Sequence, residues 1–182
     1  MRRKDREMPR EFGLEVIDKS QYGVLSILNK GLPYQVPLSI VRDGESLYFH
    51  SAKAGEKIET FKESKDVSVT FVGKVEVPHL FTGSEVMELK KEGKIGEIIS
   101  KVYTTEFESA IVKGKVFKVE DEEERKKALK LICDKYVPEM DFVFEDAFEK
   151  SKAAVEIFRI DMEEITAKRK KFGPDKKEIK SK

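Results

Sequence analysis

The residues Leu47-Tyr48-Phe49-His50-Ser51-Ala52-Lys53-Ala54-Gly55-Glu56-Lys57-Ile58 gather the side chains of this sequence best suited to hold an anion or move a proton. An apolar run of strand character leads directly into a helical pattern. At the junction stand a histidine, a small hydroxyl, two lysines and a glycine. The first turn of a helix offers unpaired backbone N–H groups and the positive end of the helix dipole, which suits phosphate. Lys53 and Lys57, four apart, would lie on one side of that turn and add charge. Ser51 is placed either to cap the helix or to donate its hydroxyl to a ligand. A capped surface helix with solvated lysines explains the same residues, and this window alone leaves both readings open.

Positioning such a junction requires strands on either side of it, and the sequence supplies them. Residues 22–28 form a nearly continuous apolar run of strand length, followed by the turn signal Asn29-Lys30-Gly31. Residues 34–41 alternate, with Tyr34, Val36, Leu38 and Ile40 on one face and Gln35, Pro37 and Ser39 on the other. A second tight turn at Arg42-Asp43-Gly44-Glu45 leads into 46–51, which predicts an antiparallel meander. Pro37 cannot donate to a strand ladder, so it marks an edge, a bulge or a place where a flat ligand meets main chain.

Further strands are predicted over 66–77, 102–105, 109–119 and 153–160. Helices are predicted over 11–20, 83–101, 142–152 and from an Asp121 cap onward. Gly93 and Gly96 weaken the middle of the helical stretch 83–101. The fold expected is mainly β, a six- or seven-stranded antiparallel barrel with flanking helices. The barrel domain is taken as 1–166 with a helical insertion at 78–105. Residues 167–182 are lysine-rich, lack periodicity and read as a partly disordered tail.

Composition narrows the function. The 182 residues hold 36 Lys and Arg against 35 Asp and Glu, a net charge of +1, so no whole-protein field favours nucleic acid. Charged residues reach 39 %, whereas amides are confined to Asn29, Gln21 and Gln35, a balance that fits an origin at high temperature. The single Cys133 excludes an internal disulfide and any cysteine-built metal site, and reads as a small apolar core residue. No apolar run approaches the roughly 20 residues that span a bilayer. The basic start lacks the apolar core of a signal peptide, so a cytoplasmic location is expected. The two histidines, His50 and His79, have no carboxylate spacing that suggests a metal. No nucleophile elbow, Walker loop or dinucleotide fingerprint follows a strand.

The ordered segments resemble a known family. Arg2-Arg3-Lys4-Asp5-Arg6-Glu7, Tyr34-Gln35-Val36-Pro37-Leu38-Ser39, the 47–58 stretch, Ser109-Ala110-Ile111-Val112-Lys113-Gly114-Lys115-Val116, the helix at Asp121 and Ile160-Asp161-Met162-Glu163-Glu164-Ile165-Thr166-Ala167-Lys168 occur in its order. The chain is similar to the pyridoxamine 5′-phosphate oxidase-like flavoproteins, in particular the 5-nitroimidazole antibiotic resistance branch. That resemblance implies a split β-barrel that forms a homodimer and binds FMN in clefts between two subunits. Val36, Pro37, Leu38 and Ser39 would run along the flavin ring, His50, Ser51, Ala52 and Lys53 would line the ring and ribityl region, and Lys57 would meet the phosphate. Residues near Tyr103–Ser109 of a second copy would close the cleft. The stretch 78–105 is longer than that branch's connection. The chain also has no Trp for the C-terminal substrate motif of the vitamin B6 oxidases.

The function expected is therefore an FMN-dependent oxidoreductase acting on small electrophilic compounds, nitro-aromatics foremost, with NAD(P)H as a candidate donor. In this reading His50 contacts substrate or supplies a proton, because it alone near the ring titrates close to neutrality. A structural hydrogen-bonding role for His50 is the alternative. Two rival functions are a non-enzymatic flavin-storage protein and a basic-tailed barrel that binds nucleic acid.

Overall fold

The computed structural model describes residues 3–181; Met1, Arg2 and Lys182, the ends of the expected arm and tail, lie outside the described residues. A 3-10 turn (Lys4–Arg6) and the short strand β1 (Glu7–Met8) lead into α1 (Arg10–Lys19). The strands β2 (Gly23–Asn29), β3 (Leu32–Leu38), β4 (Val41–Asp43) and β5 (Ser46–Ala52) follow, then α2 (Glu56–Glu63) and the long strand β6 (Asp66–Glu76). Helices α3 (Gly83–Lys91) and α4 (Ile95–Val102) separate β6 from β7 (Glu106–Lys118). Beyond it come α5 (Glu122–Tyr136), a 3-10 stretch (Pro138–Val143), α6 (Phe144–Ser151) and β8 (Val155–Lys170).

The strands form one antiparallel sheet in the order β3-β2-β6-β7-β8-β5-β4, with β1 added to the far part of β8. Its two ends, β3 and β4, share no ladder. They are joined only through Ser39 and Ile40, so the sheet curls round without closing, as a split barrel. The inner face carries Leu25, Val69, Phe71, Val112, Val116, Phe49 and Phe158, to which α1 adds Val16 and Ile17 and α2 adds Phe61. The alternation of β6 explains its part: Val67, Val69 and Phe71 are buried, while Ser68, Thr70 and Val72 face outward. Gly114 is required where β7 meets a bulge in β8. A Cβ there would sit 2.1 Å from the Asp161 carbonyl oxygen.

Outside the barrel, α5 packs Ala128 and Ile132 over Val41, Tyr48 and Ile157. Asp121 Oδ1 caps it by accepting from the Glu124 amide at 2.8 Å. A Glu124 oxygen accepts from Tyr48 Oη at 2.9 Å and from Arg159 Nη1 at 2.8 Å, which anchors the helix to β5 and β8.

Three expectations are corrected by the structure. The helical stretch 83–101 is two helices, broken where Gly93 adopts φ +71°, with Thr82 and Glu85 forming a capping box at the start of α3. Residues 102–105 are the end of α4 and a loop rather than a strand, because Ile98 and its neighbours continue a helical burial pattern. The barrel does not end at 166. β8 runs to Lys170, Ala167 is buried in register with Met8 and Ala110, and Lys176 and Lys180 beyond it meet partners of this chain. Lys176 contacts Glu85 at 2.7 Å and stacks 4.4 Å over the Phe81 ring, and Lys180 pairs with Asp5 and Glu178. Lysine content without periodicity therefore marked an ion-paired segment. No helix among the described residues is long and apolar enough to cross a membrane.

Candidate functional site

β5 delivers two kinds of surface. In its register with β8, Phe49 faces Phe158 and His50 faces Ile157. Directly paired residues share a face, so the two phenylalanines point into the barrel while His50 points outward with Ile157. Phe49 is fully buried and His50 is exposed. Beyond Ala52 the chain turns at Gly55 (φ +121°, ψ 167°) and enters α2. That backbone conformation is essentially glycine-only. Gly55 itself is the N-cap of α2 and no side chain caps the helix. Ser51, four residues earlier, is buried on the inner face of β5 and does not cap it. A hydroxyl near a helix start could not reveal this, because the extended connection 53–55 shifts the start of the helix.

The turn brings His50 and Lys57 together. Lys57 is half-buried in the first turn of α2, with its ammonium 5.5 Å from the centre of the Phe49 ring. Burial lowers its pKa. Although His50 is exposed, partial desolvation lowers its pKa, and the charge on Lys57 lowers it further. An anion bound between them would relieve both effects. Lys53 does not join this pair: it precedes α2 and lines a separate cavity with Ile58, Phe61 and Phe158. Ala52 is exposed, opposite Val155.

β3 lies at one end of the sheet path, paired only with β2. Pro37 sits opposite Val24 and is exposed, an edge position that its missing N–H permits. Val36 and Leu38 turn half-buried toward the core. Ser39 is exposed at the corner into β4. Side chains of α5 hold this corner: Ile40 N donates to Tyr136 Oη at 3.1 Å, and Lys135 Nζ donates to Ile40 O at 3.0 Å. The 96-residue separation of Tyr136 from Ile40 leaves no local signal for their contact.

Ser109 is half-buried on β7, opposite Val72 and Lys168. His50 pairs with β8 at Ile157. The eleven positions from Ile157 to Lys168 correspond to about 35 Å of strand contour at ~3.3 Å per residue. One chain does not place Ser109 beside His50. Around Ser109 the outer face of β6 and β7 exposes Val72 (45 %) and Ile111 (40 %) beside Thr70, Thr166 and Lys168, whereas α5 covers the outer face near β4 and β5. Among the described residues, no group of three or more His, Cys, Asp and Glu side chains is placed to hold a metal.

An open antiparallel barrel, with a histidine and a half-buried lysine flanking a strand-to-helix turn, defines the class of protein: a split-barrel domain with an anion-compatible site on its outer surface. A family model described as pyridoxamine 5′-phosphate oxidase matches residues 10–169. The chain belongs to that pyridoxamine 5′-phosphate oxidase-like family. No curated protein matches it by sequence. Among solved structures, it is similar to a candidate 5-nitroimidazole antibiotic resistance protein from Bacteroides thetaiotaomicron, at 23 % identity and TM-score 0.64, covering 90 % of this chain and 86 % of that one. It is also similar to an FAD-binding protein from Mesorhizobium loti, at 20 % identity and TM-score 0.58, covering 90 % and 96 %. An FAD- and heme-binding protein from Mycobacterium smegmatis matches at 14 % identity and TM-score 0.64, covering 91 % and 73 %. These likenesses establish the fold.

Proposed function

We propose that the chain is an FMN-binding flavoprotein, working as a homodimer, that reduces small electrophilic compounds, nitro-aromatics being the leading class. The observation that carries this reading is the Lys57–His50 pair at the end of β5. An incompletely solvated ammonium and an uncapped helix start face the same turn, and both favour a phosphate. Family membership and the flavin-binding neighbours support the choice of a flavin.

The residues present fit such a group. Lys57 and the first turn of α2 would hold the phosphate. Pro37 and Ser39 would present a flat edge to the ring, and Val36 and Leu38 would keep that edge packed on the core. Ala52, Ser51 and Lys53 would flank the chain between ring and phosphate. A bound flavin supplies hydride transfer, so no catalytic triad is needed. His50 would contact the substrate or hold a proton there. A second copy would bring its Ser109 region over the cleft, with the exposed Val72 and Ile111 in the interface.

A flavin-holding protein without turnover is the second reading. It is favoured by the direction of the His50 pKa, which desolvation and the Lys57 charge lower, against the protonated form a proton donor needs. The primary test is the absorbance spectrum of the purified protein after incubation with FMN or FAD and desalting. Retained flavin bands support the reading, and their absence from a confirmed dimer overturns it. NAD(P)H consumption with a nitro-aromatic acceptor then separates enzyme from store. Val72→Glu with Ile111→Glu should give a monomer by light scattering that no longer retains flavin. A dimer that survives both changes places the interface elsewhere.

A further inference from the structure

On the inner side of the β5–β8 pair, beside α2, lies a cavity of about 300 Å³ that shares only Lys53 with the flavin reading. It is lined by Ile58, Phe61 and Lys62 of α2, Lys65 just beyond it, Phe158 of β8 and Lys118 at the end of β7, with Lys53 and Glu156 completing the wall. His50 shares the outward face with Ile157, whereas Phe158 points inward. The strand pair therefore separates this cavity from the outward His50 face.

Two features of the lining act together. The Phe61 and Phe158 rings stand 5.0 Å apart at 52° and, with Ile58, make an apolar wall. Among the described side chains four ammonium groups line the cavity with one carboxylate, Glu156, which is engaged by Lys118 at 3.2 Å and Arg125 at 3.5 Å, and Lys118 also reaches Glu120 at 3.2 Å. Lys62 turns to the exposed Glu59 at 2.8 Å, a pair weak enough in water to exchange for a ligand. Lysine stems pack on apolar surface while their heads stay at its rim. A ligand matching both features has a flat apolar body and one anionic group, and the volume suits one or two fused rings.

We propose that this cavity binds a small organic anion of the aryl carboxylate class, independently of any flavin. The test is calorimetric titration of the full-length protein with 2-naphthoate and with the neutral 2-naphthamide, each with and without FMN. Naphthoate should bind once per chain, and the amide roughly tenfold or more weaker. Lys65→Gln with Lys118→Gln should weaken naphthoate roughly tenfold, whereas Lys57→Gln should leave it unchanged. The proposal is overturned by equal affinity for amide and acid, or by no saturation below about 10 mM. Loss of binding in Lys57→Gln with retention in the double variant also overturns it. If the double variant fails to fold by circular dichroism, Lys65→Gln alone decides: a loss of about threefold or more supports the site, and unchanged affinity overturns it. Flavin retention is read separately by absorbance, so failure here and failure of the flavin reading stay distinguishable.

Discussion

The ammonium of Lys57 lies 5.5 Å from the centre of the Phe49 ring, at the point where β5 hands over to α2. The contact spans the last buried aromatic of the strand and the first turn of the helix. It holds a partly desolvated cation beside an uncapped helix start. Lys57→Gln removes the charge and keeps a polar side chain one atom shorter. A charge-assisted hydrogen bond contributes about 1.5–3 kcal/mol, so FMN should bind roughly 10- to 100-fold more weakly by fluorescence quenching. Unchanged FMN affinity would remove Lys57 from the phosphate position.

His50 and His79 are the only histidines, so a proton NMR titration resolves both, and His79→Gln assigns them. The His50 midpoint should fall below the ordinary value of about 6.5, and rise in Lys57→Gln because the repelling charge is gone. The folded chain then binds fewer protons at this site than the unfolded chain. Stability from this group is therefore complete above about pH 6.5 and declines as the pH falls toward the folded value. His50→Gln should lose that component of the pH dependence of Tm between about pH 8 and 5. A wild-type midpoint above the ordinary value contradicts the local field described here.

Gly55 adopts φ +121° with open space around its Cα, so a methyl group meets no neighbour yet strains the backbone. Gly55→Ala should cost about 1–3 kcal/mol, seen as a lower urea midpoint. It should also displace α2 relative to β5 and weaken FMN binding. A neutral effect on both would mean that the turn tolerates another backbone conformation.

Arg6 Nε and Nη2 reach the two oxygens of Glu178 at 2.5 and 2.9 Å, tying the N-terminal arm to the C-terminal segment. The Arg6 hydrogen bond is the main cause that lowers the Glu178 pKa, with Lys180 adding to it. Stability from this carboxylate is present above the ordinary Glu pKa of about 4.3 and is lost as the pH falls through the folded value. Glu178→Gln should lower Tm by roughly 3–6 °C at pH 7, on the scale of 1–2 kcal/mol for a partly buried pair. Wild-type melting above about 65 °C, the upper range of mesophile domains, is expected from the charge composition. Because β8 reaches Lys170, a truncation that tests the tail should follow Lys171.

The alternation in 66–72, the turn at Asp43-Gly44, the acid-rich start after Asp121 and the strand-to-helix junction at His50 were all legible as local patterns. In each, backbone geometry and burial period are set by neighbours within a few residues. The antiparallel barrel class follows from those patterns and short connections. Other features depended on distant partners. Composition alone could not tell that Ala167 is buried, because its burial comes from Met8 and Ala110. Nor could it show that Tyr136 and Lys135 clamp the Ser39–Ile40 corner, or that Lys65 and Lys118 face one cavity. Ser51 looked like a cap until the turn at Gly55 moved the helix start away from it. Local periodicity determines which face of an element is apolar, whereas the partner that covers it is chosen by long-range pairing. The site residues were therefore visible one by one in the sequence, and the curl of the sheet decided which of them meet.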